Sequence, residues 1–217
     1  RLCAPLLRGS TCLLPAGAAT GMRYAGLDVT RLLGTLTQSM PNSLILVPEL
    51  LQVLVTAAER GWPVPGSLQF VAVGGAAVSV DLLERANAVR IPVYEGYGLS
   101  ECASVVCLNT PVARRAGTVG RPLPHVRVRV DAAGQVHVAG NTMLGYLGDA
   151  QSRPLAEVAT GDLGAFDADG YLRLQGRLYG VDCPGGPLGR TRGHRLGDRC
   201  RRRAGRGPCA ARRDRCA

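Results

Sequence analysis

The alternation of short β-rich runs with helical segments constrains the fold of this sequence more than any other feature. Leu68–Val73 is rich in β-forming residues and runs into a pair of glycines. Ser79 can cap a helix that extends to about Val89. Ile91–Tyr94 predicts the next short strand, which leads into a predicted loop at 95–98. This strand, loop, helix, strand order predicts an α/β fold with a parallel sheet and with functional groups at the strand ends.

The sequence also predicts a helix earlier in the chain. The short apolar run Asn42–Val47 precedes a segment, Glu49–Arg60, whose leucines recur on one helical face. Pro48 suits the first turn of that helix, and Gly61 suits its end. Residues 1–40 contain many glycines and small residues, and we expect irregular α/β structure there.

The sequence pattern changes after about residue 117. Val126–Val130 and Gln135–Val138 alternate polar with apolar residues around a turn, which predicts a hairpin. Tyr171–Gln175 alternates in the same way after a second turn at 167–170. A small antiparallel, barrel-like β unit is therefore expected to follow the parallel-sheet portion.

Charge separates a third segment from these two. The formal net charge is +10, and all 26 basic residues are arginine. Residues 1–180 hold 15 arginines and 13 acidic residues, whereas residues 181–217 hold 11 arginines and 3 acidic residues. This last segment has no strand or helix period, so we predict a disordered basic tail, and we interpret it as a possible reading-frame artefact of GC-rich DNA.

The predicted domains are thus 1–116, a partial α/β subdomain, 117–180, a β-rich subdomain, and 181–217, the tail. Eight cysteines show no C-x-x-C spacing of a metal or redox site, and the chain is too long and too well patterned for a disulfide scaffold. We expect the first four, Cys3, Cys12, Cys102 and Cys107, to be reduced thiols in a cytoplasmic protein. The apolar runs are too short to span a bilayer, so we expect no transmembrane segment.

The segment richest in residues suited to ligand binding has the sequence Tyr-Glu-Gly-Tyr-Gly-Leu-Ser-Glu and ends at Glu101. Gly96 and Gly98 allow the backbone to approach a flat ligand, and the ring of Tyr97 can lie on a purine. The hydroxyl of Ser100 can bond a phosphate oxygen. The carboxylate of Glu101 is a hard oxygen ligand suited to Mg²⁺.

Two further groups of residues can serve the same ligand. Asp162 is an acceptor suited to paired ribose hydroxyls, and Arg177 can donate to ribose or phosphate. The run Gly74-Gly75-Ala76, at the end of a predicted strand, can offer backbone groups to adenine. Each feature alone also has an ordinary structural explanation, such as a turn, a helix cap or a solvated acid.

Three segments in order resemble one known family. The segment ending at Glu101 matches Y-x-G-Y-G-x-[ST]-E, and Gly117–Pro122 matches G-x-x-G-x-P. Thr160–Gly164, Asp169–Tyr171 and Gly176-Arg177 match T-G-D-x-G, D-G-Y and G-R. Each match is weak alone, but their order makes the chain similar, over roughly residues 43–177, to the AMP-forming acyl-CoA synthetases.

The resemblance implies a role for each matching residue. Tyr97 would stack on adenine, Ser100 would contact the α-phosphate, and Asp162 with Arg177 would bind ribose. Ser100 and Glu101 are the expected catalytic residues, with Glu101 holding the metal. The nucleotide pocket is expected to comprise Gly74, Gly75, Ala76, Glu95, Gly96, Tyr97, Gly98, Ser100, Asp162 and Arg177.

The resemblance also implies a reaction, in which ATP activates a carboxylic acid, with a fatty acid favoured, and coenzyme A accepts the acyl group. The cofactors would be ATP or AMP, Mg²⁺ and coenzyme A as co-substrate; the partners would be small molecules. Two alternatives stay open: a non-catalytic nucleotide-binding remnant, and an arginine-rich nucleic-acid binder acting through the tail. We do not expect the latter, because no nucleic-acid-binding module is recognisable.

The family's phosphate loop would precede Arg1, and its catalytic lysine has no counterpart among these 217 residues. Loss of one group that stabilises transition-state charge commonly costs about 100- to 1000-fold in rate. We therefore predict little or no adenylating activity for this chain, measured as ATP–pyrophosphate exchange. Robust exchange would contradict the prediction.

Overall fold

A computed structural model describes residues 7–23, 26–146 and 154–178. The predicted basic tail at 181–217 lies outside these described residues. The helices are α1 (Gly17–Thr20), α2 (Val29–Ser39), α3 (Pro48–Glu59) and α4 (Val80–Ala88). The strands are β1 (Met22–Arg23), β2 (Gly26–Leu27), β3 (Ser43–Leu46), β4 (Phe70–Val73), β5 (Val93–Leu99), β6 (Ser104–Leu108), β7 (Arg121–Pro122), β8 (Arg127–Val130), β9 (Gln135–Ala139), β10 (Glu157–Phe166) and β11 (Leu172–Arg177).

The first large sheet is mixed rather than wholly parallel. Its strand order is β3-β4-β5-β6-β7, and the prediction of parallel pairing holds for β3, β4 and β5. β5 is followed by one 3-10 turn, Ser100–Cys102, and the chain then returns as β6, antiparallel to β5. So short a connection can join only antiparallel neighbours, because a parallel crossover needs a dozen or more residues.

The helices follow from their caps and apolar faces. α3 and α4 confirm the predicted helices, with Pro48 in the first turn of α3 and the Ser79 hydroxyl accepting the Leu82 N–H of α4 at 3.2 Å. α2 replaces the irregular structure expected before residue 40. The Asp28 carboxylate caps α2 by accepting the Arg31 N–H at 3.1 Å.

The glycine-flanked segment at 95–98, predicted as a loop, belongs instead to strand β5. The pairing of β5 with β6 shifts register between Tyr97 and Gly98. A Cβ at Gly98 would lie 1.6 Å from the carbonyl oxygen of Ser104, so the strands approach more closely than any side chain allows. Glycine here therefore permits a tight, irregular strand pair rather than a loop.

The second large sheet is antiparallel and curled, with the order β11-β10-β9-β8. The β8–β9 hairpin confirms the predicted one, and the Asp131 carboxylate closes its turn by accepting the Ala133 and Gln135 N–H groups at 2.9 Å. β7 pairs with β6, so the first sheet extends beyond the predicted boundary at residue 116.

Within the part of the chain that the structure describes, two buried clusters form the core. The first lies between the parallel strands and α3 and α4; it comprises Leu51, Leu54, Val55, Val71, Val73, Leu82, Leu83, Ala86, Ile91 and Val93. The second joins β5 and β6 to the curled sheet; it comprises Tyr97, Cys102, Val106, Cys107, Val126, Val136, Val138, Val158 and Leu172. The second cluster therefore holds the two sheets together across the predicted boundary. Among the described residues, no helix is long and apolar enough to cross a bilayer.

The first cluster makes a measurable contribution to stability. Leu54, in α3, is 1% exposed, so we expect Leu54→Ala to lower the free energy of unfolding by about 2–5 kcal/mol through lost transfer energy and a residual cavity. Leu144→Ala makes the same change at a residue that is 81% exposed. It should shift the free energy of unfolding by no more than about 0.5 kcal/mol. Urea unfolding measures both. Equal effects would contradict the placement of Leu54 in the core.

Candidate functional site

Asp162 joins the two sheets at the centre of the candidate site. One oxygen of its carboxylate accepts the hydroxyl of Tyr97, from β5, at 2.6 Å. The other lies 2.6 Å from Nε of Arg177, its cross-strand neighbour on β11. Asp162 follows Tyr97 by 65 residues and precedes Arg177 by 15 residues. Three residues that were predicted to serve one ligand are therefore in direct contact.

The local backbone holds Asp162 in this place. Its N–H donates to the Thr160 hydroxyl at 3.1 Å, and that hydroxyl donates to the carbonyl of Val136 at 2.9 Å. Gly161 has φ +75°, which glycine adopts without strain, and its carbonyl accepts the Leu178 N–H at 2.8 Å. The run Thr-Gly-Asp thus forms an irregular step in β10 that turns the carboxylate towards Tyr97.

The burial of these groups differs. Tyr97 and Asp162 are each 9% exposed, whereas the Arg177 side chain is 59% exposed. Burial, with the adjacent Asp162 hydrogen bond, raises the pKa of Tyr97 well above its usual value, so its hydroxyl keeps its proton and acts as donor. Most of the Tyr97 ring is covered by the second cluster, so stacking of a purine on it stays a prediction.

The glycine run after β4 lies against the same strand. A Cβ at Gly74 would lie 2.8 Å from the carbonyl oxygen of Gly96, so glycine is required for β4 and β5 to run this close. Gly75 and Ala76 are exposed, and their backbone groups are open to a ligand. The structure therefore places the run predicted to meet adenine beside the motif on β5.

Ser100 and Glu101 occupy the 3-10 turn after β5. Ser100 is exposed. The Glu101 carbonyl accepts the Met143 N–H at 2.7 Å, and one oxygen of its carboxylate accepts the Tyr146 hydroxyl at 3.2 Å. The segment around residues 143–146 therefore fixes both ends of Glu101.

These contacts bear on whether Mg²⁺ fits here. The described residues contain no group of three or more His, Cys, Asp or Glu side chains that could hold a metal ion. Mg²⁺ nevertheless binds commonly through one or two carboxylates, with phosphate oxygens and water completing its shell. The single carboxylate of Glu101 fits that pattern, and it is the group that would hold the ion.

Sequence reasoning missed the buried network behind the motif. Asn109 is 2% exposed, and its amide donates to the carbonyls of Thr118 at 2.7 Å and Glu95 at 3.4 Å. Its side-chain oxygen accepts the Arg115 N–H at 2.9 Å. One asparagine thus ties the glycine-rich loop before β7 to β5, and a lone Asn in the sequence gives no signal of it.

A second missed feature is an aromatic ring between two arginines. The guanidinium carbons of Arg115 and Arg121 lie 4.7 Å and 4.5 Å from the ring centroid of Tyr171. Arg115 also forms ion pairs with Asp167 and Asp169, both at 2.5 Å. These contacts attach the turn before β11 to the loop before β7, over separations of about 50 residues that no local pattern reveals.

The candidate site combines exposed and buried groups: Ser100 and the Arg177 side chain are exposed, whereas Tyr97 and Asp162 are each 9% exposed. A cavity of about 470 Å³ lies elsewhere, between α2 and α3, where Val29, Leu33, Thr56 and Trp62 contribute to its lining. None of the predicted site residues lines it. We therefore assign the candidate site by its polar geometry and not by cavity size.

Residues 1–147 match the family described as AMP-binding enzyme, which covers about two thirds of the chain. The chain therefore belongs to this family, as the resemblance indicated. The matched region includes the motif on β5 and ends before Asp162.

The relatives are CoA ligases. The chain is 32% identical over 186 residues to a 3-[(3aS,4S,7aS)-7a-methyl-1,5-dioxo-octahydro-1H-inden-4-yl]propanoyl:CoA ligase of Rhodococcus jostii, covering 81% of this chain and 36% of the relative. It is 31% identical over 153 residues to a 2-succinylbenzoate–CoA ligase of Staphylococcus epidermidis, covering 65% and 32%. The chain thus spans about a third of the length of these relatives.

Solved structures agree with the fold. Escherichia coli MenE with a bound analogue of OSB-AMS is 33% identical, with a TM-score of 0.57 over 68% of this chain and 32% of that one. The O-succinylbenzoate CoA synthetase of Bacillus subtilis in complex with AMP is 24% identical, with a TM-score of 0.60 over 71% and 43%. The mixed sheet followed by a curled antiparallel sheet is therefore the adenylate-forming enzyme fold.

The folding stability of the chain depends on pH through the carboxyl group of Glu95. Burial raises the pKa of Glu95 to about 7, although Arg114 and the Gly117 N–H oppose the shift. Between its usual pKa, near 4.3, and about 7, the folded chain keeps a proton that the unfolded chain loses, so stability falls as pH rises through this window. Glu95→Gln stays neutral and should gain stability relative to the parent as pH rises through this window.

Urea unfolding of both proteins at pH 5 and pH 8 measures this gain. Glu157→Gln is the matched control, because the Arg129 ion pair lowers the pKa of Glu157. The parent carboxylate is already ionised at pH 5, so the difference in stability between Glu157→Gln and the parent should stay the same at pH 5 and pH 8. A pH-independent difference for Glu95→Gln would show that its carboxyl titrates normally.

Proposed function

We propose that this chain is the nucleotide-binding part of an AMP-forming acid–thiol ligase. In the proposed reaction a carboxylate attacks the α-phosphorus of ATP, which forms acyl-AMP and releases pyrophosphate. The thiol of coenzyme A then attacks the acyl carbon, which forms the thioester and releases AMP. Such chemistry depends mainly on positioning and electrostatics, which the residues of one pocket can supply.

The observation that carries the proposal is the placement of Asp162. Its carboxylate is held by a donor from each sheet and lies on the irregular step of β10. An acidic side chain of this kind binds paired ribose hydroxyls in other nucleotide sites. Arg177 is exposed beside it and can donate to ribose or phosphate.

The remaining motif residues supply the other parts of the pocket. The backbone of Gly75 and Ala76 is proposed to contact adenine. The hydroxyl of Ser100, an exposed residue, is proposed to donate a hydrogen bond to an α-phosphate oxygen. Bound Mg²⁺ would neutralise charge on the polyphosphate, and Glu101 would hold it.

The proposed acyl substrate is a fatty acid. Ala103 and Ser104 follow Glu101 closely, are small, and are exposed. They leave room for an acyl chain beside the phosphate. A relative named Long-chain-fatty-acid–CoA ligase FadD15, from Mycobacterium bovis, is 34% identical over 117 residues, covering 52% of this chain and 20% of the relative.

The chain is proposed to act in the cytoplasm. It is proposed to bind nucleotide there but to catalyse little adenylation. Its 217 residues contain no lysine to compensate charge on the pentavalent phosphorus. A nucleotide-binding remnant differs from a ligase in one observable respect: it binds AMP but catalyses no ATP–pyrophosphate exchange.

Calorimetry of AMP binding to the full 217-residue chain tests the proposed site. Asp162→Asn keeps the size of the side chain but removes its charge, and should weaken AMP binding about ten- to hundredfold, the cost of hydrogen bonds to a charged group. Glu157→Gln makes the same kind of change elsewhere on β10, where the carboxylate also pairs with an arginine. It should leave AMP binding unchanged. Equal affinities for parent and Asp162→Asn would rule out the proposed ribose site.

A further inference from the structure

We propose that Tyr97 acts on the nucleotide through its hydroxyl, as a positioning residue that orients the Asp162 carboxylate towards the ribose. This inference rests on the proposed function. It assigns to Tyr97 a role that differs from stacking of its ring on adenine, and the two roles can be separated by experiment.

The number of acceptor sites on the carboxylate supports the proposal. An ionised carboxylate offers about four lone-pair directions, two on each oxygen. The Tyr97 hydroxyl uses one direction on one oxygen, and Arg177 Nε uses one on the other, both at 2.6 Å. Among the contacts made by the described residues, one direction on each oxygen therefore remains, and the 2′- and 3′-hydroxyls of a ribose are two adjacent donors.

Tyr97 is the more rigid of the two protein donors. Its ring belongs to the second core cluster and its backbone to β5, whereas the Arg177 side chain is 59% exposed. A buried donor that cannot turn away fixes the plane of the carboxylate before the ligand arrives. The ordering cost of the carboxylate is then met during folding rather than during binding.

The length of the hydrogen bond fits this role. At 2.6 Å it lies in the range of charge-assisted O–H···O⁻ bonds, which are stronger than neutral ones. With the hydroxyl removed, the carboxylate would still be held by the side chain of Arg177, which is exposed and less rigid. Its plane would then turn more freely, and the bonds to ribose would weaken.

Tyr97→Phe separates the hydroxyl from the ring, because phenylalanine retains the aromatic face. We expect this substitution in the full chain to weaken AMP binding about five- to tenfold, as for the loss of one hydrogen bond. Binding of 2′,3′-dideoxy-AMP, which has no hydroxyls to offer Asp162, should change less than about twofold, because the lost hydrogen bond acts through those hydroxyls. Calorimetry with both ligands gives the preference for AMP over dideoxy-AMP, which a general loss of packing would not alter.

Tyr171→Phe is the matched control. Tyr171 is another buried tyrosine, 6% exposed, and its ring lies between Arg115 and Arg121. Its substitution should leave the preference for AMP unchanged. Thermal unfolding of each variant checks that it is folded. Arg177→Gln, at an exposed side chain, provides a second variant that should also lower the preference for AMP.

The outcomes separate this inference from the proposed function. Equal losses for AMP and dideoxy-AMP in Tyr97→Phe would assign its effect to packing and overturn the inference, while the ribose site itself would stand. Tighter AMP binding by Tyr97→Phe would also overturn it, because the hydroxyl would then compete with ribose. No AMP binding by the parent chain would overturn the proposed function and this inference together.

Discussion

The contact between the antiparallel half of the first sheet and the curled sheet is the interaction on which the candidate site depends. Tyr97 and Val106 supply one side of it, and Val136, Val138 and Leu172 supply the other. The apolar part of this contact fixes the distance between the sheets. The bond from Tyr97 to Asp162 then satisfies polar groups that the contact buries, which would otherwise cost free energy.

Glycines and one asparagine shape the first sheet on its side of this contact. Gly74 and Gly98 let β4, β5 and β6 run closer than side chains would allow. Asn109 satisfies the backbone of β5 and of the loop before β7 at once. The glycines therefore permit the close, irregular strand pairing around the motif on β5, and the buried amide of Asn109 adds hydrogen bonds to the carbonyls beside it.

The sequence anticipated the elements better than their arrangement. Helices α3 and α4 were predicted because Pro48 and Ser79 mark their starts through local chemistry. The β8–β9 hairpin was predicted for the same reason, since a turn residue such as Asp131 acts on its immediate neighbours. The mixed direction of the first sheet was missed, because strand direction depends on how a short turn returns the chain.

The candidate site divides in the same way. The sequence by itself determined which side chains could serve a nucleotide. Each motif around Tyr97, Asp162 and Arg177 is a short run of consecutive residues, and the order of the motifs is read directly from the chain. Tertiary structure alone decided that the Tyr97 hydroxyl bonds Asp162, that burial raises the pKa of Glu95 to about 7, and that Arg115 reaches Asp167 and Asp169. These are consequences of burial and of contacts between residues far apart in sequence, and neither is encoded in any local pattern.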